Sequence, residues 1–261
     1  MSGRAPDEIW KAATEEGERR VRRSTGALLS TGFVGGFDVM LGVLVTIAAT
    51  GALTAATGAD PAHLVGSLFF GIGFVLVIVG RGELFTENFL VPVGSVLAGR
   101  ATPFGLARLW LLTFLANYGG ILLIAVVLTT GGVLQASTLD SVGPIADTLT
   151  GRGWLSAFLS AVVAGSVMTL LTWLAHAAER ESARIMVALV LGVVIALPTL
   201  NHAVVSFGEL ALAVLSDRTD ATTGEIARTL ACAIVGNVVG GLGLVTLNRF
   251  VMARGEPDAE V

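Results

Sequence analysis

Two apolar stretches, residues 62–98 and 184–215, constrain the fold before anything else does, because both are too long for one membrane crossing. As continuous helices they would run to about 55 Å and about 48 Å at about 1.5 Å per residue, whereas a hydrocarbon core of about 30 Å takes about 20 residues. Each also carries a means of stopping. The first holds Gly80-Arg81-Gly82-Glu83-Leu84-Phe85-Thr86-Glu87-Asn88, followed by Pro92. The second holds Leu197-Pro198-Thr199-Leu200-Asn201-His202, and a proline inside a helix removes a hydrogen bond and clashes with the preceding turn. Irregular backbone at membrane depth is tolerated only where protein or a water-filled cavity covers it. The two interrupted spans therefore belong in the interior of the molecule.

The rest of the chain is equally apolar. Hydrophobic residues make up 54% of the 261 and charged ones only 14%, and the mean hydropathy is +0.81, values outside the range of a water-soluble domain. Further apolar regions at 27–53, 105–130, 154–176 and 226–252 bring the expected crossings to six. The first thirty residues are charged, so no cleavable signal peptide is expected there. Residues 1–26 read as a cytoplasmic N-terminal amphipathic helix, lying on the membrane surface or packed on the protein, with 27–253 as the six-span transmembrane domain and 254–261 as a short cytoplasmic tail. The single cysteine, Cys232, lies in an apolar run and excludes a disulfide framework or a cysteine metal cluster. Phosphate-loop, nucleophile-elbow and zinc-protease motifs are absent from the sequence. Neither an enzyme nor a cofactor, metal or nucleic-acid partner is expected; the partners expected are the lipid bilayer and a small solute.

Counting basic residues by loop sets the orientation. With six crossings and a cytoplasmic N-terminus, one side carries Arg4, Lys11, Arg19, Arg20, Arg22, Arg23, Arg100, Arg108, Arg180, Arg184, Arg249 and Arg254. The other carries Arg152, Arg218 and Arg228, with Arg81 inside a span. That asymmetry places both termini in the cytoplasm of a multi-pass protein of a bacterial-type inner membrane.

The halves of the chain repeat. Asn117-Tyr118-Gly119-Gly120 and Asn237-Val238-Val239-Gly240-Gly241 each lie in the span after a broken one, 34 residues after Glu83 and 35 after His202. Two copies of a three-span unit, each with an odd number of crossings, enter from opposite faces, so their interrupted helices meet near the midplane. The glycines allow the helix backbones to approach closely.

Charge at membrane depth is costly, about 2.5–3.5 kcal/mol for each group at the centre of a helix. Arg81, Glu83 and Glu87 are therefore expected to face protein, water or one another, with Arg81 paired to a glutamate and Glu83 or Thr86 capping the second half-helix. Thr86, beside Leu84-Phe85, is a candidate solute contact. His202 is the histidine farthest from a span end and a candidate proton-handling group, while His63 and His176 lie at span ends and read as interfacial. The path of Glu209, seven residues beyond His202, stays open.

These residues together resemble the formate/nitrite transporter family. The resemblance rests on the run from His63 to Leu90, on Leu109 to Gly120, on Asn201 to Phe207 and on Ile234 to Gly241, covers about residues 6–253, and is strongest to the YfdC-type branch. It implies an all-α homopentamer with an aquaporin-like hourglass and one pore per protomer, six spans in two inverted repeats, and Thr86 and His202 at the pore centre. It further implies constrictions from Leu84, Phe85, Phe74, Phe70, Ile195, Met168 and Phe207, with Arg81, Glu83, Glu87 and Asn201 as loop scaffold. The cargo implied is a small monovalent anion such as formate, nitrite or hydrosulfide, moved with a proton. Three departures bear on anion preference. Arg152 is the nearest substitute for a lysine that family members carry near the outer start of the fourth span. Ser206 and Gly165 stand where asparagines are frequent. Two other function classes fit the same architecture: a neutral-solute pore for water or glycerol, and a non-conducting structural or regulatory protein.

Overall fold

A computed structural model describes residues 3–255, so part of the expected 254–261 tail lies outside the described residues. Helix α1 (Pro6–Val21) starts with Pro6 in its first turn, and the Glu8 carboxylate accepts from the Ala5 amide at 3.1 Å. It is followed by α2 (Thr25–Thr57), whose cap Ser24 accepts from the Ala27 amide. The second span is α3 (Ala59–Ser67) and α4 (Gly71–Gly80), then a loop, a 3-10 turn at Phe85–Phe89 and the half-helix α5 (Val91–Leu97). The third is α6 (Pro103–Thr129), capped by Thr102.

The fourth span is α9 (Trp154–Ala177), the fifth is α10 (Glu181–Ala196) plus the half-helix α11 (Val205–Leu215), and the sixth is α12 (Thr223–Val239). Through a π-helical segment at Gly240–Thr246, α12 runs on into α13 (Leu247–Arg254). Among the described residues, five helical stretches are long and apolar enough to cross a membrane, and α10 with α11 makes the sixth crossing. Two short helices precede α9, namely α7 (Ala136–Asp140) and α8 (Val142–Thr150); nothing in the sequence reading anticipated them.

Helix α1 packs on the protein. Its Ile9 and Ala13 are buried against Leu90, Val91 and Trp173, and Gly17 lies so close to the Val91 carbonyl that a Cβ there would collide with it. Ser95 adds a hydrogen bond to the Thr14 carbonyl at 2.5 Å. Of the two placements the sequence left open, the structure has the helix packed on the protein.

The inverted repeat is visible bond by bond. Asn117 accepts from the Phe85 amide at 2.9 Å and donates to the Gly32 and Glu83 carbonyls at 2.7 and 2.8 Å. Asn237 accepts from the Ala203 amide at 2.8 Å and donates to the Ala161 and Asn201 carbonyls at 2.8 and 3.1 Å. Each asparagine thus satisfies backbone groups that a broken helix leaves bare, which would otherwise be costly in the interior. The correspondence aligns Glu83 with Asn201 and Leu84 with His202, correcting by one residue the expected match of Glu83 with His202.

Other pairs follow the same register. Both breaks open with a non-glycine residue in the left-handed region, Arg81 at φ 60° and Thr199 at φ 50°, a conformation that costs about 1 kcal/mol or more and persists only when its surroundings impose it. Thr102 and Thr222 both cap their helices. Gly36 lies against the Asn117 backbone and Gly165 against that of Asn237. Gly165 therefore cannot be replaced by the asparagine frequent elsewhere, because a Cβ would overlap the neighbouring main chain.

Candidate functional site

The two loops meet through one side-chain contact. His202 Nε2 lies 2.9 Å from Thr86 Oγ1, and both residues are fully buried. Thr86 arrives on the 3-10 turn whose first amide Asn117 holds, and His202 arrives two residues after the break at Leu200. The His202 amide donates to Ser206 Oγ at 3.1 Å while the Ser206 amide donates to the His202 carbonyl at 2.8 Å. Ser206, where an asparagine is frequent, therefore ties the first turn of α11 to the loop backbone at His202.

The His202 tautomer follows from its second nitrogen. Nδ1 accepts the Val205 amide at 3.2 Å, so in the neutral ring the hydrogen sits on Nε2 and is donated to Thr86 Oγ1. With its lone pair so engaged, the Thr86 hydroxyl keeps its own hydrogen free for a further acceptor.

Around this pair lies an apolar shell. Leu84, Phe70, Phe74, Met168 and Ile195 are buried within one hydrophobic cluster, and Phe70 and Phe74 meet edge to face at 5.1 Å. Phe85 and Phe207 each pack against other aromatic rings. The Phe85 ring packs against Phe89, Trp110 and Phe114, and Phe207 stacks on Tyr118 at 3.6 Å between ring centres. The Tyr118 hydroxyl in turn donates to the Ala203 carbonyl at 3.0 Å. These aromatics brace the two loops from α6.

The charges of the first loop pair otherwise than expected. Arg81 is exposed and forms no ion pair with Glu83 or Glu87 among the described residues; its left-handed backbone ends α4 and turns the side chain outwards. Instead, Arg23 meets Glu83 Oε2 at 2.6 Å and Arg20 lies 3.6 Å from Glu83 Oε1 and 4.0 Å from Glu87. Arg20 also donates to Asn88 Oδ1 at 3.1 Å. The cap of the 3-10 turn is Glu87, which accepts from the Leu84 amide at 3.3 Å, and not Glu83 or Thr86. Sequence reasoning missed Arg20 and Arg23, since helical periodicity does not reveal which distant loop a basic residue reaches.

In the second loop, Asn201 donates to the Ala157 and Thr229 carbonyls at 3.3 and 3.0 Å. Arg152, the candidate for drawing in anions, donates to the Thr199 and Pro198 carbonyls at 2.8 and 3.3 Å. Burial lowers the pKa of its guanidinium, and the charge of Glu209 opposes that shift. Arg152 is thus committed to holding the left-handed turn, and Glu209, buried in α11, is its acidic neighbour.

A cavity of about 540 Å³ opens on one side of the loops, between α1, α4, α9 and α10, and is lined by six arginines against three glutamates. On the opposite side a cavity of about 390 Å³ has Asp60, His63, Asp140 and Thr199 in its wall. His63 contacts the Leu197 carbonyl at 3.1 Å and His176 the Thr172 carbonyl at 2.8 Å.

A family model described as "Formate/nitrite transporter" matches residues 7–251. The chain is 27% identical to an uncharacterized transporter of Bacillus subtilis, YrhG, covering 96% of this chain and 94% of the relative. It is 26% identical to the formate channel BtFdhC of Bacillus thuringiensis, covering 96% of each. Among solved structures, one titled "FNT family ion channel" superposes with a TM-score of 0.82 at 23% identity, over 94% of this chain and 98% of the other. A "pentameric formate channel with formate bound" superposes at 0.68 and 17% identity, over 88% and 99%.

Proposed function

Because the chain belongs to the formate/nitrite transporter family, we propose that this membrane channel or transporter carries a small monovalent weak-acid anion such as formate through a pore in each protomer of a homopentamer. The observation that carries the reading is the Thr86–His202 pair, a hydrogen-bond donor displayed where two broken helices meet inside an apolar shell. The N-terminal end of α11 adds partial positive charge at the same depth. An anion drawn there loses water and gains the Thr86 hydroxyl as donor. Apolar side chains on either side reject the ion but admit the neutral acid, so passage is linked to a proton.

The source of that proton follows from the ring. Protonating Nδ1 requires breaking the Val205 contact, and removing the Nε2 hydrogen leaves an imidazolate. The pair therefore works as a fixed neutral donor, and the anion takes its proton from hydronium in the surrounding solvent as it approaches, leaving a water molecule behind. The basic residue asymmetry supports both termini in the cytoplasm, with the six-arginine cavity as the inner mouth. It likewise supports residues 1–26 as a cytoplasmic element and 27–253 as the channel. The Gly-Glu-Leu-Phe-Thr-Glu-Asn form of the loop supports the YfdC-type branch.

The test is uptake of formate, nitrite and hydrosulfide into proteoliposomes at two external pH values. Uptake rises at the lower pH, and His202→Asn lowers it about ten- to a hundredfold, the equivalent of one hydrogen bond to a charged group. No uptake of any of these anions above empty vesicles, with glycerol passing instead, would overturn the reading in favour of a neutral pore.

A further inference from the structure

We propose that Arg20 and Arg23, on and just beyond α1, are specificity-determining counter-charges: they cancel the two carboxylates of the first loop and so keep the inner half of the pore passable to an anion. The inference rests on the anion reading above and extends it to residues outside the pore-forming spans.

Glu83 and Glu87 flank Thr86 in sequence and are buried, at 0% and 6% exposure. A solute anion in the inner cavity, before it takes up its proton, stands beside Glu87 in the cavity wall and near Glu83, which shares Arg20 with it. Two unit negative charges in a poorly screened interior would oppose its entry strongly. The cations that cancel them come from outside the spans. Arg23 closes on Glu83 Oε2 at 2.6 Å with Thr31 Oγ1 donating to the same oxygen at 3.2 Å. Glu83 Oε1 has no hydrogen bond, and its nearest cation is Arg20 at 3.6 Å.

The N-terminal segment is built to deliver these charges. Glu16 orients both arginines, at 3.1 Å from Arg20 and 3.9 Å from Arg23. Arg108 fixes the Arg23 carbonyl at 3.1 Å and Thr25 Oγ1 at 2.9 Å. The same segment supplies Arg4 and Arg19 to the inner cavity, so four of its six arginines come from there, while Arg81 and Arg184 are the two contributed by the spans. In the second half of the repeat, the residue in the place of Arg23 is Arg152, and its loop carries Asn201 where the first carries Glu83. Arg152 consequently bonds to carbonyls. Of the two loops, only the first carries arginine–glutamate pairs within 4.0 Å among the described residues, while the opposite cavity has its own Asp140–Arg218 pair at 2.6 Å.

The experiment compares formate uptake by three forms in proteoliposomes: the unmodified protein, R20Q/R23Q, and the quadruple variant R20Q/R23Q/E83Q/E87Q. Elution position and thermal unfolding are measured for each. The double variant loses about tenfold in uptake for each uncompensated carboxylate, and the quadruple variant, with neither cations nor carboxylates, recovers to within about threefold of the unmodified protein. Both variants lack the Arg–Glu pairs, so the unfolding midpoint separates the roles. A purely structural role lowers the midpoint of the double variant in step with its uptake, whereas the counter-charge role lowers uptake in a protein that still elutes and unfolds as the unmodified one does. Full uptake in a folded R20Q/R23Q, or no recovery in a folded quadruple variant, overturns the proposal. If the unmodified protein passes no anion, the functional reading has failed and the counter-charge role falls with it.

Discussion

Replacing Asn117 or Asn237 by alanine tests the repeat and the site together. Each asparagine makes three buried hydrogen bonds, one accepted from the loop amide two residues after its Glu83 or Asn201 partner and two donated to carbonyls. A net loss of about 0.5–1.5 kcal/mol for each of the three bonds, with about 1–3 kcal/mol for the buried amide left unpaired, places each variant about 2.5–7.5 kcal/mol below the unmodified protein. Because the two clasps are related by the inverted repeat, N117A and N237A are expected to cost the same to within about 1 kcal/mol. The assay is reversible unfolding in mixed micelles, followed by tryptophan fluorescence, with formate uptake on the same preparations. Thr86 and His202 are held by these clasps, so uptake falls in both variants. A loss below about 0.5 kcal/mol in either would refute the accounting, because no buried amide could then have been left without a partner.

Thr86→Val keeps the shape of the side chain and removes the hydroxyl; uptake falls at least about tenfold with unfolding nearly unchanged, while Thr86→Ser keeps most of the uptake. Gly36→Ala and Gly165→Ala each force a methyl into the backbone of Asn117 or Asn237, and both are expected to lose about 1–3 kcal/mol of stability and to elute with an aggregated fraction. Arg152→Gln frees the carbonyls of Pro198 and Thr199, so the second loop loosens, seen as faster amide exchange at Leu200 to His202, with a smaller loss of uptake than His202→Asn shows.

Much of this architecture could be read from the chain because membrane physics leaves few options. A 32-residue apolar stretch with Pro198 in its midst cannot be one straight crossing, and the structure breaks it at Leu197–Val204, between α10 and α11. The repeated asparagine with two glycines marked the clasping helices. The meeting of Thr86 and His202 came from family resemblance, since spacing alone says nothing about a contact 116 residues apart. What failed was partner assignment. Arg81 was closest in sequence to Glu83, but its left-handed backbone carries it away, and the cations that reach Glu83 sit 60 or more residues earlier. Counting from the charged residue also set the repeat one position off. Helices α7 and α8 were hidden by their shortness, although Val142, Ile145, Ala146 and Leu149 do carry a helical apolar stripe.

The close backbone contacts at Gly36, Gly165, Gly120 and Gly240 have a consequence for how such a protein can change over generations. Helix separation there is set by main chain touching main chain, and the loops are hung from two asparagines, so the frame depends on a handful of small or amide-bearing positions. The side chains proposed to face the solute are not among them. Mutation can therefore retune the proposed constriction at Leu84, Met168 or Ile195 towards a larger or more polar cargo while the frame that presents them stays in place.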